Sequence, residues 1–195
     1  MPPLVPTLAP PPATTAARVA TFLDLIKFAH SIFALPFALI ATFWAFRVIA
    51  IPPLSLAALE RLGLILVCMV IARTWSMTAN RLVDRRFDAA NPRTARRPSV
   101  TGAISPAFMR WTLILCLILF LLATAAFDLL FANPWPLILA IPVLAWLAGY
   151  SFTKRFTALC HFWLGISLGL VPIAAWIALA PTSPARLSPF TLRAL

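Results

Sequence analysis

Asn80-Arg-Leu-Val-Asp84-Arg-Arg-Phe-Asp88 follows a long apolar run and precedes a segment crowded with arginine. Three oxygen-bearing side chains recur in it at every fourth position: Asn80, Asp84 and Asp88. On a helix turning ~100° per residue the three share about 80° of arc, with ~6 Å of rise between neighbours. Extended backwards, the same face takes in Met77 and Arg73. Hard oxygen donors at this spacing suit a divalent cation, and magnesium characteristically binds a few carboxylates plus substrate phosphates. The same pattern also fits solvated charges that balance a basic segment. The surroundings discriminate between the two.

Those surroundings are membrane-like. Of the 195 residues, 62% are hydrophobic and only five are acidic, which lies outside the range of soluble domains. Mean hydropathy is +0.95. Sixteen Lys and Arg give a formal net charge of +11. In a soluble chain that charge would suggest nucleic acid. Here the charges sit between apolar runs, so topology and anionic lipid explain them and no nucleic-acid partner is expected. Cys68, Cys116 and Cys160 form an odd set without ligand-like spacing, which argues against a disulfide frame or a zinc site. Six prolines fall in the first twelve residues and no apolar core accompanies them, so residues 1–20 are expected to be a disordered extension without a cleavable signal.

Five membrane spans are expected within a helical domain covering 21–182. The first runs from about Asp24 to Phe46, and Phe28 to Phe46 carries no formal charge over nineteen residues, enough for ~30 Å of hydrocarbon. Pro36 predicts a kink in it. The second runs from about Leu54 to Asn80. With Glu60, Arg61 and Arg73 near its ends, it suits a protein interior better than lipid on all sides. A loop over 80–110 then carries the aspartates and seven arginines, with turn signals at Asn91-Pro92 and Thr101-Gly102. The third, fourth and fifth spans run from Trp111 to Phe127, Trp135 to Tyr150 and Leu159 to Ala180, with Pro136 and Pro142 distorting the fourth. Residues 183–195 are expected to be a truncated segment.

The loops after spans two and four hold nine basic residues, against Arg47 alone in the loops on the other side. The positive-inside rule therefore places the N-terminus, the aspartate segment and Lys154–Arg155 on the cytoplasmic side. Asn80, Asp84, Asp88, Lys154 and Arg155 then emerge on one face of the membrane. That constellation suits a diphosphate: magnesium between carboxylates neutralises part of its charge, and Lys and Arg neutralise more through charge-assisted hydrogen bonds. An apolar floor would hold a hydrocarbon tail and keep water from a carbocation. Arg73 is either a diphosphate or carboxylate contact or a snorkelling anchor. Lys27 stands at the entrance of the first span, where an interfacial anchor is the plainer reading, and it is kept as a candidate diphosphate ligand. His30, Asp24, Asp128 and His161 have no partners visible in the sequence. Arg93, Arg96 and Arg97 read as topology determinants.

Three segments resemble one family in the same order. Asn80 to Pro98, ending Asn91-Pro-Arg-Thr-Ala-Arg-Arg-Pro98, resembles the first aspartate-rich motif of the UbiA family of intramembrane prenyltransferases. Leu25 to Leu39 resembles the family's first helix, and Tyr150-Ser-Phe-Thr-Lys154-Arg155 its basic loop before the fifth. Within the family the likeness is to bacterial 4-hydroxybenzoate polyprenyltransferases. The resemblance implies an all-α bundle in a bacterial inner membrane, about five spans of a nine-helix fold. It implies that Asn80, Asp84 and Asp88 bind magnesium–diphosphate, with Asp84 and Asp88 catalytic, and that Arg73, Lys154, Arg155 and Lys27 contact the diphosphate. The substrates implied are a prenyl diphosphate and an aromatic acceptor such as 4-hydroxybenzoate, for ubiquinone or menaquinone synthesis. The family's second aspartate motif has no counterpart after Asp128, and Arg81 stands where some members carry Asp. The chain thus looks like the N-terminal part of such an enzyme, with a complementing chain as one source of the rest. Two readings compete with this one. CDP-alcohol phosphotransferases also use membrane-surface aspartates, but they need an Asp-Gly that this segment lacks. A non-catalytic fragment, split subunit or transporter-like scaffold stays open.

Overall fold

The computed structural model describes residues 14–27, 34–157 and 159–179, and every regular element among them is helical. The elements are α1 (Thr15–Leu25), α2 (Leu35–Val48), α3 (Leu56–Ala90), α4 (Pro98–Thr101), α5 (Pro106–Phe131), α6 (Trp135–Thr153) and α7 (Cys160–Leu179). Three of them, α5, α6 and α7, are long and apolar enough to cross a membrane, and α2 is a shorter apolar helix. The chain is an integral membrane protein, and its charge-bearing α3 packs against α5 and α6. α6 continues the layer to α7, and α7 to α2, while α1 and α4 lie against α3.

Local chemistry sets the boundaries. Ser55 and Ser105 cap α3 and α5, their hydroxyls accepting from the amides of Ala58 and Phe108 at 3.2 and 3.1 Å. Thr14 caps α1 in the same way, so residues 15–20 are helical rather than part of an extended tail. The rest of that expected tail, and residues 183–195, lie outside the described residues. Pro36 and Pro136 fall in the first turns of α2 and α6. There a missing N–H costs nothing, so Pro136 does not interrupt α6; the first expected span, 24–46, is not one helix, since α1 ends at Leu25 and α2 begins at Leu35, just ahead of Pro36, where a kink or locally opened backbone was expected. Pro142 does sit inside α6.

The largest departure is in α3. The expected loop from Arg81 is helix through Ala90, and the chain breaks only at Asn91-Pro92. Nothing between Arg81 and Ala90 is Gly or Pro, and proline disfavours the helical conformation only in the residue before it. At 35 residues, α3 is ~52 Å long and overshoots the ~30 Å hydrocarbon layer. Its last turns carry the aspartates to the end of the bundle at which α6 finishes. We call this the aspartate end.

Three apolar clusters hold the bundle. At the end opposite the aspartates, Phe46, Ala58, Ile65, Phe127, Ala175 and Ala178 join α2, α3, α5 and α7. Phe120, Ala140 and Leu144 join α5 and α6 in the middle. At the aspartate end, Leu25, Ile26, Ile104 and Met109 pack beneath α1 with Met77 and Leu82 of α3. α6 and α7 are further locked by the stacked rings of Trp146 and Trp163, 3.9 Å apart and 13° from parallel. The Trp163 indole donates to the Trp146 carbonyl at 3.0 Å.

Candidate active site

Because α3 stays helical, Asn80, Asp84 and Asp88 lie along one face of it, and both carboxylates are buried (3% and 7% exposed). Each is neutralised from a different direction. α6 ends at Thr153, and Lys154 and Arg155 fold back over α3. The Lys154 ammonium pairs with Asp84 Oδ2, and Arg155 Nη2 lies 3.8 Å from Asp84 Oδ1. The same Arg155 nitrogen donates to the Val83 carbonyl at 3.0 Å, and its guanidinium stands 4.8 Å over the Phe87 ring. Asn80 donates its amide nitrogen to Ser151 of α6 at 3.2 Å, leaving its oxygen for another partner. α6 thus meets the motif face at two levels, through Ser151 and through Lys154–Arg155.

Asp88 is held from the other side. Arg97 Nη1 sits between its two oxygens, at 2.8 and 2.7 Å. The loop that brings Arg97 there is tied down twice more. The Thr94 hydroxyl donates to the Asp88 carbonyl at 2.9 Å, and Arg85 Nε donates to the Ser99 carbonyl at 2.8 Å. Gly102, at φ 81°, ends α4 in the left-handed region that an L side chain resists.

The remaining candidates are placed apart from this pair. Lys27, half-buried, pairs with exposed Asp24 at 2.5 Å, just beyond the end of α1. Arg73 lies two turns below Asn80, and its Nε is buried without a hydrogen-bond partner among the described residues. His30 lies outside the described residues. Arg81, which the sequence marked only as a departure, is buried and donates to the Leu25 carbonyl at 3.3 Å, anchoring α1 to α3. Burial pushes its guanidinium below the ordinary range and Arg97 adds to that, while Asp88, Asp84 and Asp24 act against it. Sequence reasoning took Arg97 for a topology determinant and passed over Ser151. Helical periodicity could not reveal either, because one lies beyond Pro92 and the other on a different helix.

Two carboxylates and an amide, giving one oxygen each, make up half of an octahedral shell. Among the described residues no three of His, Cys, Asp or Glu gather around a metal position. The donors therefore fit magnesium held jointly with phosphate oxygens, and do not fit a self-sufficient protein cage.

The chain is similar to known proteins over most of its length. The model of the UbiA prenyltransferase family matches residues 34–192. A 4-hydroxybenzoate octaprenyltransferase of Aromatoleum aromaticum is 32% identical over 182 residues, covering 86% of this chain and 58% of that protein. One from Pasteurella multocida is 31% identical over 137 residues, covering 68% and 43%. The apo structure of a UbiA homolog from Aeropyrum pernix K1 is similar at a TM-score of 0.68 and 30% identity, over 86% of this chain and 56% of that one. The chain spans roughly half the length of these relatives. The family match covers most of its sequence, and the chain belongs to the UbiA prenyltransferase family.

Proposed function

We propose that this chain carries a magnesium–diphosphate site and serves the transfer of a polyprenyl group from its diphosphate to an aromatic acceptor such as 4-hydroxybenzoate, in quinone biosynthesis. One observation carries the reading. Buried Asp84 on α3 is met by Lys154 and Arg155 from the end of α6, 70 residues away in sequence. Magnesium, when bound, would neutralise charge on the leaving diphosphate. Asp84 and Asp88 are the catalytic carboxylates and, with Asn80, would hold the metal. Lys154 and Arg155 donate charge-assisted hydrogen bonds to diphosphate oxygens, with Lys27 approaching from the surface. Arg73, deeper in the bundle, offers its half-buried guanidinium, whose Nε is buried without a partner among the described residues, to the diphosphate or to an acceptor carboxylate.

The chemistry follows from these positions. The allylic C–O bond breaks and the diphosphate keeps the electron pair. The electron-rich ring carbon then bonds to the allylic cation, and its proton passes to the departed diphosphate. Apolar helices below the site accommodate the hydrocarbon tail and exclude water from the cation. The excess of Lys and Arg at the aspartate end supports an orientation with that end and the N-terminus cytoplasmic, in a bacterial inner membrane.

The test is magnesium-dependent transfer by membranes containing the chain, with labelled prenyl diphosphate as donor, 4-hydroxybenzoate as acceptor and Asp84→Asn as control. Transfer that disappears with the substitution or on chelation supports the reading. Prenyl diphosphate bound without transfer marks a binding unit that needs a complementing chain. A chain that shows neither binding nor transfer refutes it.

A further inference from the structure

We propose that α1 is an interfacial helix whose partner is the lipid leaflet at the aspartate end, with Val19 and Leu23 seated at the boundary between headgroups and acyl chains. The proposal does not depend on the diphosphate reading above.

α1 is too short to hold itself. It has eleven residues, and an isolated helix of that length is marginal in water. Its C-terminal end is pinned: Leu25 and Ile26 pack with Ile104 and Met109, and the Leu25 carbonyl accepts from buried Arg81. Towards the N-terminus the cover thins. Only Leu25 of the helix is buried, and residues 15–20 are exposed except for half-buried Ala17. Their pattern points to what supports them. With Leu25 set at 0° and ~100° per residue, Phe22 lies ~60° round the helix, Val19 ~120°, Leu23 ~160°, Ala16 ~180° and Ala20 ~220°. Arg18 at ~20° and Asp24 at ~260° bound this uncharged arc. The bundle covers only its first part, and Val19, Leu23, Ala16 and Ala20 are exposed. A helix with an apolar arc bounded by charge is the form that lies in a membrane interface.

The neighbour of that arc is a lipid face. On α5, which is long and apolar enough to cross a membrane, Phe108, Trp111, Leu115, Ile118 and Leu122 are exposed at spacings of three and four, a single stripe along the helix. Phe22 meets the aspartate end of this stripe, its ring centroid 5.9 Å from that of Phe108 and its plane 82° from parallel. Beyond Phe22 the arc of α1 turns outward past Phe108. Val19 and Leu23 therefore extend the stripe sideways where the span reaches the headgroups. Exposed Trp111 and Arg110 stand in the same first turns of α5, and both residue types favour the membrane boundary. Held by lipid along one edge and by Arg81 at its end, α1 sets the depth at which the aspartate end meets the membrane surface.

The test places a nitroxide on Val19→Cys, Leu23→Cys or Asp24→Cys of the full chain, reconstituted in vesicles of phosphatidylethanolamine and phosphatidylglycerol. Cys116 and Cys160 are buried and Cys68 is half-buried, and the unsubstituted chain carried through the labelling gives the blank. All three chosen side chains are exposed, so the label displaces no core packing. Electron paramagnetic resonance then reads collisions with oxygen, which concentrates in lipid, and with a nickel chelate, which stays in water. The oxygen-to-nickel ratio should be about threefold or more higher at Val19 and Leu23 than at Asp24. Equal, nickel-dominated ratios at all three positions put α1 in water and overturn the proposal. Few collisions of either kind at Val19 and Leu23 mean that another protein segment or a second copy covers the arc, and this overturns it too. Neither result bears on prenyl transfer, which has its own assay.

Discussion

The two ends of the bundle are joined in different ways. At the aspartate end, ion pairs join separate segments, Lys154 with Asp84 and Arg97 with Asp88, beside hydrogen bonds such as Asn80 to Ser151 and Arg81 to the Leu25 carbonyl. At the opposite end the contacts are neutral. The Asn133 side chain donates to the Ile177 and Ala178 carbonyls at 2.8 and 3.0 Å, tying the α5–α6 turn to the end of α7. Among the described residues Arg61 has no carboxylate partner within ion-pair distance, and it lies 3.9 Å over the Phe131 ring. An amide on helix-end carbonyls satisfies fixed backbone groups and has nothing to exchange with. A salt bridge can be traded for another anion or cation. One end is built to hold, and the other to exchange partners while the backbone stays in place.

Breaking the contrast at its strongest point means Asp84→Asn. The substitution leaves Lys154 and Arg155 without their carboxylate, and prenyl transfer should fall by about a hundredfold or more in the membrane assay. Retained turnover would remove the aspartate end from the mechanism. At the other end, Asn133→Leu should cost about 2 kcal/mol of stability, because two helix-end carbonyls lose a buried donor. Thermal unfolding in detergent would show it, with affinity for geranyl diphosphate unchanged. A loss of affinity there would mean that the two ends are coupled.

Smaller effects sharpen the picture between the ends. A Cβ on Gly149 would lie 2.6 Å from the Trp163 ring, which is stacked on Trp146 and hydrogen-bonded to it. Gly149→Ala should cost about 1–2 kcal/mol and shift the tryptophan emission, because the ring cannot move without breaking the stack. Ser151→Ala removes the partner of the Asn80 amide. It should weaken geranyl diphosphate binding in manganous ion by about threefold, corresponding to roughly one hydrogen bond of modest net worth. An unchanged affinity would confine the contribution of α6 to Lys154 and Arg155.

Much of this site was legible in the sequence, for a local reason. A spacing of four on a helix fixes a common face whatever the helix packs against, so Asn80, Asp84 and Asp88 align by backbone geometry alone. The gathering of Lys154 and Arg155 at the same end followed from counting spans and charges. The length of α3 was misread, since the segment from Arg81 was assigned to a loop and is helix through Ala90. Arginine and aspartate are compatible with helix, and the stop comes from Pro92. Pro136 was misjudged because the effect of a proline depends on where the helix starts, which spacing alone did not locate.

The sequence by itself determined the membrane class, the helical face of the motif and the end of the bundle at which its charges meet. These depend on apolar run length, periodicity and charge placement, all read along a single chain. Only the tertiary structure decided which cation sits on which carboxylate. Lys154 on Asp84 and Arg97 on Asp88 depend on how α6 folds back over α3 and how the turn after Pro92 returns to it. Tertiary packing also selected Arg81 as the anchor of α1, since a buried guanidinium needs an acceptor that only another segment can bring within reach.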